Sequence, residues 1–212
     1  MESGEWTQRS DVELVIASLV GNLEAFGELV RRFRPALFAV VSGIVDSREA
    51  AEDIVQDAFL LAFKALPKLK DVNSFASWLY AIARNRAIRY QQRENRTETL
   101  STVDMFILQE SKAFEIAAES NPGSILEQEE SCDEIRDALS QLPEKYQVVL
   151  RLQYWSEMPL QRIAEFLAIP LSVVKWRIYK GKQLLKKRLE RRNINDRGKR
   201  IEKHSQNAES QR

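Results

Sequence analysis

Apolar positions recur along this chain at the three-and-four spacing of helices buried on one face, and little of it alternates in twos, so the pattern predicts an all-α protein. Ser10-Asp11 can cap a first helix through Val20, carrying Leu14, Val15, Ser18 and Leu19, before Gly21-Asn22 stops it. A second helix has Leu23, Phe26, Leu29, Val30 and Phe33 as its inner stripe. It gathers Arg31, Arg32 and Arg34 at its C-terminal end, where the helix dipole favours cations. Pro35 then opens a third helix through Leu37, Val40, Val41 and Ile44.

From Ser47 to Arg93 the pattern sets two helices of opposite character on either side of a short loop. The first, Arg48 to Leu66, buries Ala51, Ile54, Val55, Ala58, Ala62 and Leu66. On its other face Asp53 and Asp57 stand one turn apart, with Gln56 between them and Leu60 one turn beyond, an acidic surface with an apolar neighbour. Taken alone, such a face reads first as an ordinary solvated one. Pro67 ends that helix, and Asp71 and Asn73 favour turns. Ser74 can cap the next helix, which buries Phe75, Leu79 and Ile82 and is made basic by Arg84, Arg86, Arg89 and Arg93. Trp78 and Asn85, seven residues apart, share one flank of it. An indole, an amide and guanidinium groups beside a polar loop suit unstacked bases and phosphates, although Trp78 can also be read as a core anchor.

The stretch Ala51-Glu52-Asp53-Ile54-Val55-Gln56-Asp57-Ala58-Phe59-Leu60, followed by Ser74-Phe75-Ala76-Ser77-Trp78-Leu79-Tyr80-Ala81-Ile82-Ala83-Arg84-Asn85, resembles region 2 of the bacterial sigma-70 family. The nearest subgroup is the small extracytoplasmic-function type. The resemblance implies that Asp53, Gln56, Asp57 and Leu60 dock on the clamp helices of core RNA polymerase. It also implies that Lys70, Asp71, Asn73, Ser74, Trp78, Asn85 and Arg89 read and help open the promoter's −10 element. Asp57 departs from the pattern, since the family usually has Glu there.

Between Glu94 and Ser131 the composition turns acidic, and Asn121-Pro122-Gly123 breaks any helix. This reads as a linker, yet Val103 to Ala118 carries Met105, Phe106, Ile107, Leu108, Phe114 and Ile116, too apolar for a mere tether. Two readings stand open: a segment folded back onto a domain or, as the family suggests, one threaded into polymerase near the RNA path.

Helical periodicity resumes at Cys132 and reaches a helix-turn-helix pattern over Pro159 to Glu190. Leu160, Ile163, Ala164 and Leu167 line its first helix, Ala168-Ile169-Pro170 makes the turn, and Ser172 can cap the second helix. That helix buries Val174, Ile178, Gly181, Leu185 and Leu189. Opposite that stripe project Ser172, Trp176, Tyr179 and Gln183, flanked by Lys175, Arg177, Lys180 and Lys182, the strip a helix presents to a DNA major groove. Leu142-Pro143-Glu144 with Ile163-Ala164-Glu165-Phe166-Leu167-Ala168-Ile169-Pro170 and Val174-Lys175 is similar to region 4 of the same family, which binds the −35 element. The readers it implies are Ser172, Lys175, Trp176, Arg177, Tyr179, Lys180 and Gln183. Ala168 stands where the family has a turn glycine, so a strongly positive φ there would be strained. Trp176 replaces a small residue and can alternatively pack on a partner protein.

Composition narrows the function classes. A 30% charged and 44% hydrophobic chain of 212 residues suits one large or two small soluble helical domains, and a net charge of +1 makes the distribution of cations matter more than their total. One cysteine, Cys132, and one histidine, His204, exclude an intramolecular disulfide and the usual zinc sets. No signal-peptide core and no apolar run long enough to span a membrane appear, so a cytoplasmic protein is expected. No catalytic constellation and no phosphate-binding glycine loop is present, so neither an enzyme nor a cofactor is expected. The sequence thus predicts two small helical domains: a region 2 bundle over 1–95 and a region 4 helix-turn-helix over 131–192, joined by an acidic linker over 96–130. A basic tail over 193–212 without regular structure would follow. Core RNA polymerase and promoter DNA are the expected partners, with an anti-sigma factor by analogy with the subgroup. A helix-turn-helix regulator acting without polymerase is the alternative.

Overall fold

In the structure, a computed structural model, residues 5–94 and 135–209 are described, those from 191 onward by backbone alone. The linker over 96–130 and Cys132 lie outside the described residues. Helices α1 (Asp11–Leu19), α2 (Leu23–Val41), α3 (Arg48–Ala65) and α4 (Phe75–Glu94) form an N-terminal unit. A second unit comprises α5 (135–140), α6 (Glu144–Tyr154), α7 (Leu160–Leu167) and α8 (Leu171–Glu209). No strand occurs among the described residues.

Local chemistry sets the helix starts. The Ser10 side chain accepts from the backbone N–H of Glu13 while the Glu13 carboxylate accepts from that of Ser10, a reciprocal pair that closes α1 at its N-terminus. Asn22 and Ser47 cap α2 and α3 through the backbone N–H groups of Ala25 and Ala50. Helix α2 lies at the centre of its unit, packing on α1, α3 and α4, and Phe33, Leu37 and Val41 are fully enclosed.

Six expectations are corrected here. Pro35 does not open a new helix but lies inside α2. An interior proline forfeits one backbone bond and costs about 3 kcal/mol, and the burial of Phe33, Ala36, Leu37, Val40 and Val41 around it offsets that cost. Arg31 and Arg32 consequently sit in mid-helix, away from the dipole's end, and are held by Glu28 instead. Leu19 and Leu23, at the α1–α2 corner, are exposed.

Ser74 does not cap α4. The Asp71 side chain caps a one-turn 3-10 helix, Val72–Ser74, that runs straight into it. Ser172 lies inside α8, which begins at Leu171 directly after Pro170; the helix's first backbone bonds run from the Val173 and Val174 N–H groups to the Pro170 carbonyl. Finally, the basic segment after Glu190 continues α8 to Glu209; no proline follows Pro170 to end the helix, and the segment is rich in helix-tolerant Lys, Arg and Glu.

Candidate functional site

Helix α3 turns its apolar stripe inward, so that Ala51, Ile54, Val55, Ala58 and Ala62 are buried, and thereby leaves Asp53, Gln56 and Leu60 on the surface. Asp57 shares that outer face only in part. Its carboxylate accepts from Arg86 of α4, and about a third of each side chain is exposed, 38% for Asp57 and 29% for Arg86. This pair ties the acidic helix to the basic one. It was not legible in sequence, because the two residues are 29 positions apart and belong to different periodic stripes.

The loop between these helices is organised by Asp71. One carboxylate oxygen accepts both the backbone N–H of Asn73, at 3.0 Å, and its side-chain amide, at 2.9 Å. The Ser74 hydroxyl donates to the Asp71 carbonyl at 2.7 Å. Asp71 therefore shapes the loop, and Asn73 and Ser74 are held by it, with Lys70 exposed beside them. Trp78 is half-buried and packs against the enclosed Phe75, ring centroids 6.1 Å apart. Both readings of Trp78 meet here, since it packs against a core residue and stays partly exposed. Asn85 and Arg89 are exposed further along α4.

In the second unit α7 and α8 make the turn expected of a helix-turn-helix. Ala168 adopts a left-handed conformation, φ 51° and ψ 46°, so the turn does use the positive φ that its side chain disfavours. Val174 and Ile178 are buried under α8, and Gly181 lets the helix approach α6: a Cβ there would stand 3.0 Å from Leu150 Cδ1. Ser172, Lys175, Tyr179, Lys180, Lys182 and Gln183 are exposed, with Gln183 donating to the Tyr179 hydroxyl. Arg177 is half-buried. Trp176 leans on Tyr146 of α6, rings 5.9 Å apart, while 52% of it stays exposed. The cationic strip is therefore assembled on one helix, with its one indole braced from behind.

The two units also touch, through residues that carried no signal in the sequence. Phe166 of α7 is enclosed between Phe33 of α2, stacked at 6.2 Å, and Tyr80 of α4 at 5.3 Å. Arg84 of α4 makes a two-pronged ion pair with Glu144 of α6, at 2.7 and 2.9 Å, which pulls the Glu144 carboxyl below its ordinary value. Arg162 bonds Asp11 at 2.5 Å and lies over the Phe33 ring. Burial raises the Tyr80 phenol above its ordinary value, although the nearby Arg84 and Arg177 charges oppose the shift.

Among the described residues no group of His, Cys, Asp and Glu is placed to hold a metal ion, and no helix is long and apolar enough to cross a membrane.

Comparison with known proteins agrees with this geometry. A family model described as Sigma-70 region 2 matches residues 29–97, and one described as Sigma-70, region 4 matches residues 132–185, together more than half of the chain. The chain is similar to the ECF RNA polymerase sigma factor SigW of Bacillus subtilis, 28% identical over 174 residues that cover 80% of this chain and 91% of that relative. It is also similar to the ECF RNA polymerase sigma-E factor of Escherichia coli K12, 29% identical over 182 residues that cover 84% and 93% of the two chains. A solved structure of CnrH in complex with the cytosolic domain of CnrY shares the fold. It has a TM-score of 0.56 and 21% identity, and the match covers 85% of this chain and 97% of that one.

Proposed function

Because this chain belongs to the sigma-70 family, in its extracytoplasmic-function group, we propose a specific division of labour among its surfaces in transcription initiation. The α3 face of Asp53, Gln56, Asp57 and Leu60 docks on core RNA polymerase. The loop and α4, through Lys70, Asn73, Ser74, Trp78, Asn85 and Arg89, engage the melted −10 strand, with Asp71 holding the loop in shape. The α8 strip of Ser172, Lys175, Trp176, Arg177, Tyr179, Lys180 and Gln183 reads the −35 box, with cations fixing register on phosphates and the remaining side chains meeting base edges. Extruding a base costs a few kcal/mol, which contacts to the loop and α4 and the polymerase contacts offset together.

The observation that carries this reading is the exposure of Asp53, Gln56 and Leu60 on the one α3 face that lies beside the loop and α4. A stand-alone helix-turn-helix regulator would leave that face without a role. The two relatives named above are RNA polymerase sigma factors, and an anti-sigma partner for this chain is proposed by the same analogy, since CnrH was solved with CnrY. Sigma factors act by binding, and we propose no catalytic step and a cytoplasmic site of action. The test replaces Asp53 with Lys, alone and with Asp57→Lys. Association with core polymerase should fall at least tenfold for the single variant while the helical content is unchanged. Unchanged association of the folded double variant would remove the docking role.

A further inference from the structure

Helix α8 is longer than −35 reading requires. It runs unbroken for 39 residues, about 57 Å at 1.5 Å per residue. The reading strip ends at Gln183, and the match to the region 4 family model ends at residue 185. We propose that the turns of α8 just past the strip, through Lys186, Lys187 and Arg191, form a separate, sequence-independent site for the DNA phosphates that flank the −35 box. This inference rests on the −35 role proposed above for the first part of the helix.

Charge is the first reason. In a chain whose formal net charge is +1, α8 alone carries 13 lysines and arginines against four acidic residues. The rest of the chain is therefore acidic on balance, and the positive field is concentrated on one rod.

Register is the second, because a helix fixes where each charge stands and an irregular tail would not. The reading face carries Ser172, Trp176, Tyr179 and Gln183. Lys175, Lys182 and Lys186 recur at intervals of seven and four along one of its flanks, and Lys180, Lys187 and Arg191 repeat the same intervals along the other. The five lysines are exposed, and Arg191 is placed by its position in the helix. Lys182 lies over the Tyr154 ring at 5.2 Å, which fixes its place on the flank. Lys186 reaches Glu190 at 3.9 Å, with 79% and 59% of the two side chains exposed, a contact too solvated to withhold it from a phosphate.

These two rows fit a duplex. A recognition helix offers its first turns to base edges in the major groove, a channel about 12 Å wide with a phosphate strand on either side. One row of cations on each flank matches one strand on each side. From Lys175 to Arg191 the rows run about 24 Å, twice the width of the groove and two turns past the last reader. Their final members therefore stand where the helix leaves the groove, beside phosphates and away from base edges. Contacts of that kind add affinity and fix register without carrying sequence information. An acidic protein surface would engage one flank, whereas a groove engages both.

The test compares the full chain with its Lys186→Gln, Lys187→Gln, Arg191→Gln triple variant. Two labelled duplexes are the probes, one of random sequence and one carrying the −35 box of a promoter that the chain opens with core polymerase. Affinities are read by fluorescence anisotropy between 50 and 200 mM KCl. Each lost phosphate contact should flatten the plot of log affinity against log salt by about 0.9, so the triple variant should lose a slope of roughly 2.7. Its affinity at the lowest salt should fall at least tenfold on both duplexes, leaving the preference for the box unchanged. The melting temperature should not move, since all three substitutions lie outside the core. Equal slopes overturn the phosphate site, as does a change confined to the box-bearing duplex, which would make these residues base readers. Equal slopes with a loss of association with core polymerase overturn it too and assign the flanks to an acidic protein surface. If the parent chain shows no preference for the box, the −35 reading fails, and the slopes on the random duplex still decide the phosphate site.

Discussion

Ala168 sits in the left-handed region where a Cβ costs roughly 1–2 kcal/mol, and the turn between α7 and α8 keeps it there because Ile163 and Ala164 on one side and Val174 on the other are buried together. Ala168→Gly should therefore stabilise the C-terminal unit by about 1 kcal/mol, the gain being less than the full strain because glycine loses more backbone entropy on folding. A rise of a few degrees in melting temperature would register it. Glu28 is the opposite case, a group whose surroundings favour its charge: hydrogen bonds from Arg31, opposed by burial and reinforced by Arg32, hold its carboxyl down at about 2 instead of 4.5. Its depressed value makes its contribution fully present above about pH 4.5 and lost as pH falls toward 2. Glu28→Gln should cost about 2 kcal/mol at neutral pH, in the range for hydrogen bonds to charged groups, and its stability should fall less between pH 5 and 3 than that of the parent chain. Parallel acid limbs for the two proteins would show that Glu28 is not what titrates. Only Glu28 left a local trace in the sequence, because Arg31 and Arg32 follow it at the three-and-four spacing of helical ion pairs, whereas the sequence argued against a positive φ at Ala168.

Elements were legible where a single stripe decided them. The stripe of α3 and that of α8 through Ile178 are buried as their spacing requires, because three-and-four periodicity is a direct consequence of helix geometry. Boundaries set by competition between terms were not. Pro35 reads as a start because proline removes a donor, yet the core around Phe33 and Leu37 carries α2 through it. Ser74 and Ser172 read as caps, but the Asp71 side chain caps the turn that leads into α4, and α8 starts at Leu171 so that Ser172 already lies inside it, since a cap is chosen by the path of the loop and not by residue type alone. The crossing of α6 and α8 is an exacting contact between elements, with a Gly181 Cβ 3.0 Å from Leu150 Cδ1 and 3.4 Å from Tyr146 Cβ. Gly181→Val should push the two helices apart and destabilise the C-terminal unit by about 1–3 kcal/mol. Thermal unfolding of the variant measures this directly, and binding of a −35 duplex should weaken with it.

At the scale of the whole molecule the two units were foreseen and their contact was not, because Phe33 and Phe166 or Arg84 and Glu144 meet only once both units are folded and no periodicity links residues that far apart. The buried Arg151 shows how the contact is balanced. Its guanidinium is pushed below its ordinary pKa by desolvation, to which the close approach of Gly43 from the other unit contributes, and next by the charge of Arg136 in its own unit. Replacing a buried, poorly compensated charge by an apolar side chain of similar length is commonly neutral to stabilising, by up to about 4 kcal/mol. Arg151→Met should therefore raise the melting temperature of the free chain. Scanning calorimetry measures that rise, and a fall in melting temperature would show that the Trp155 ring beneath the guanidinium, 5.8 Å away, compensates the buried charge more fully than water would.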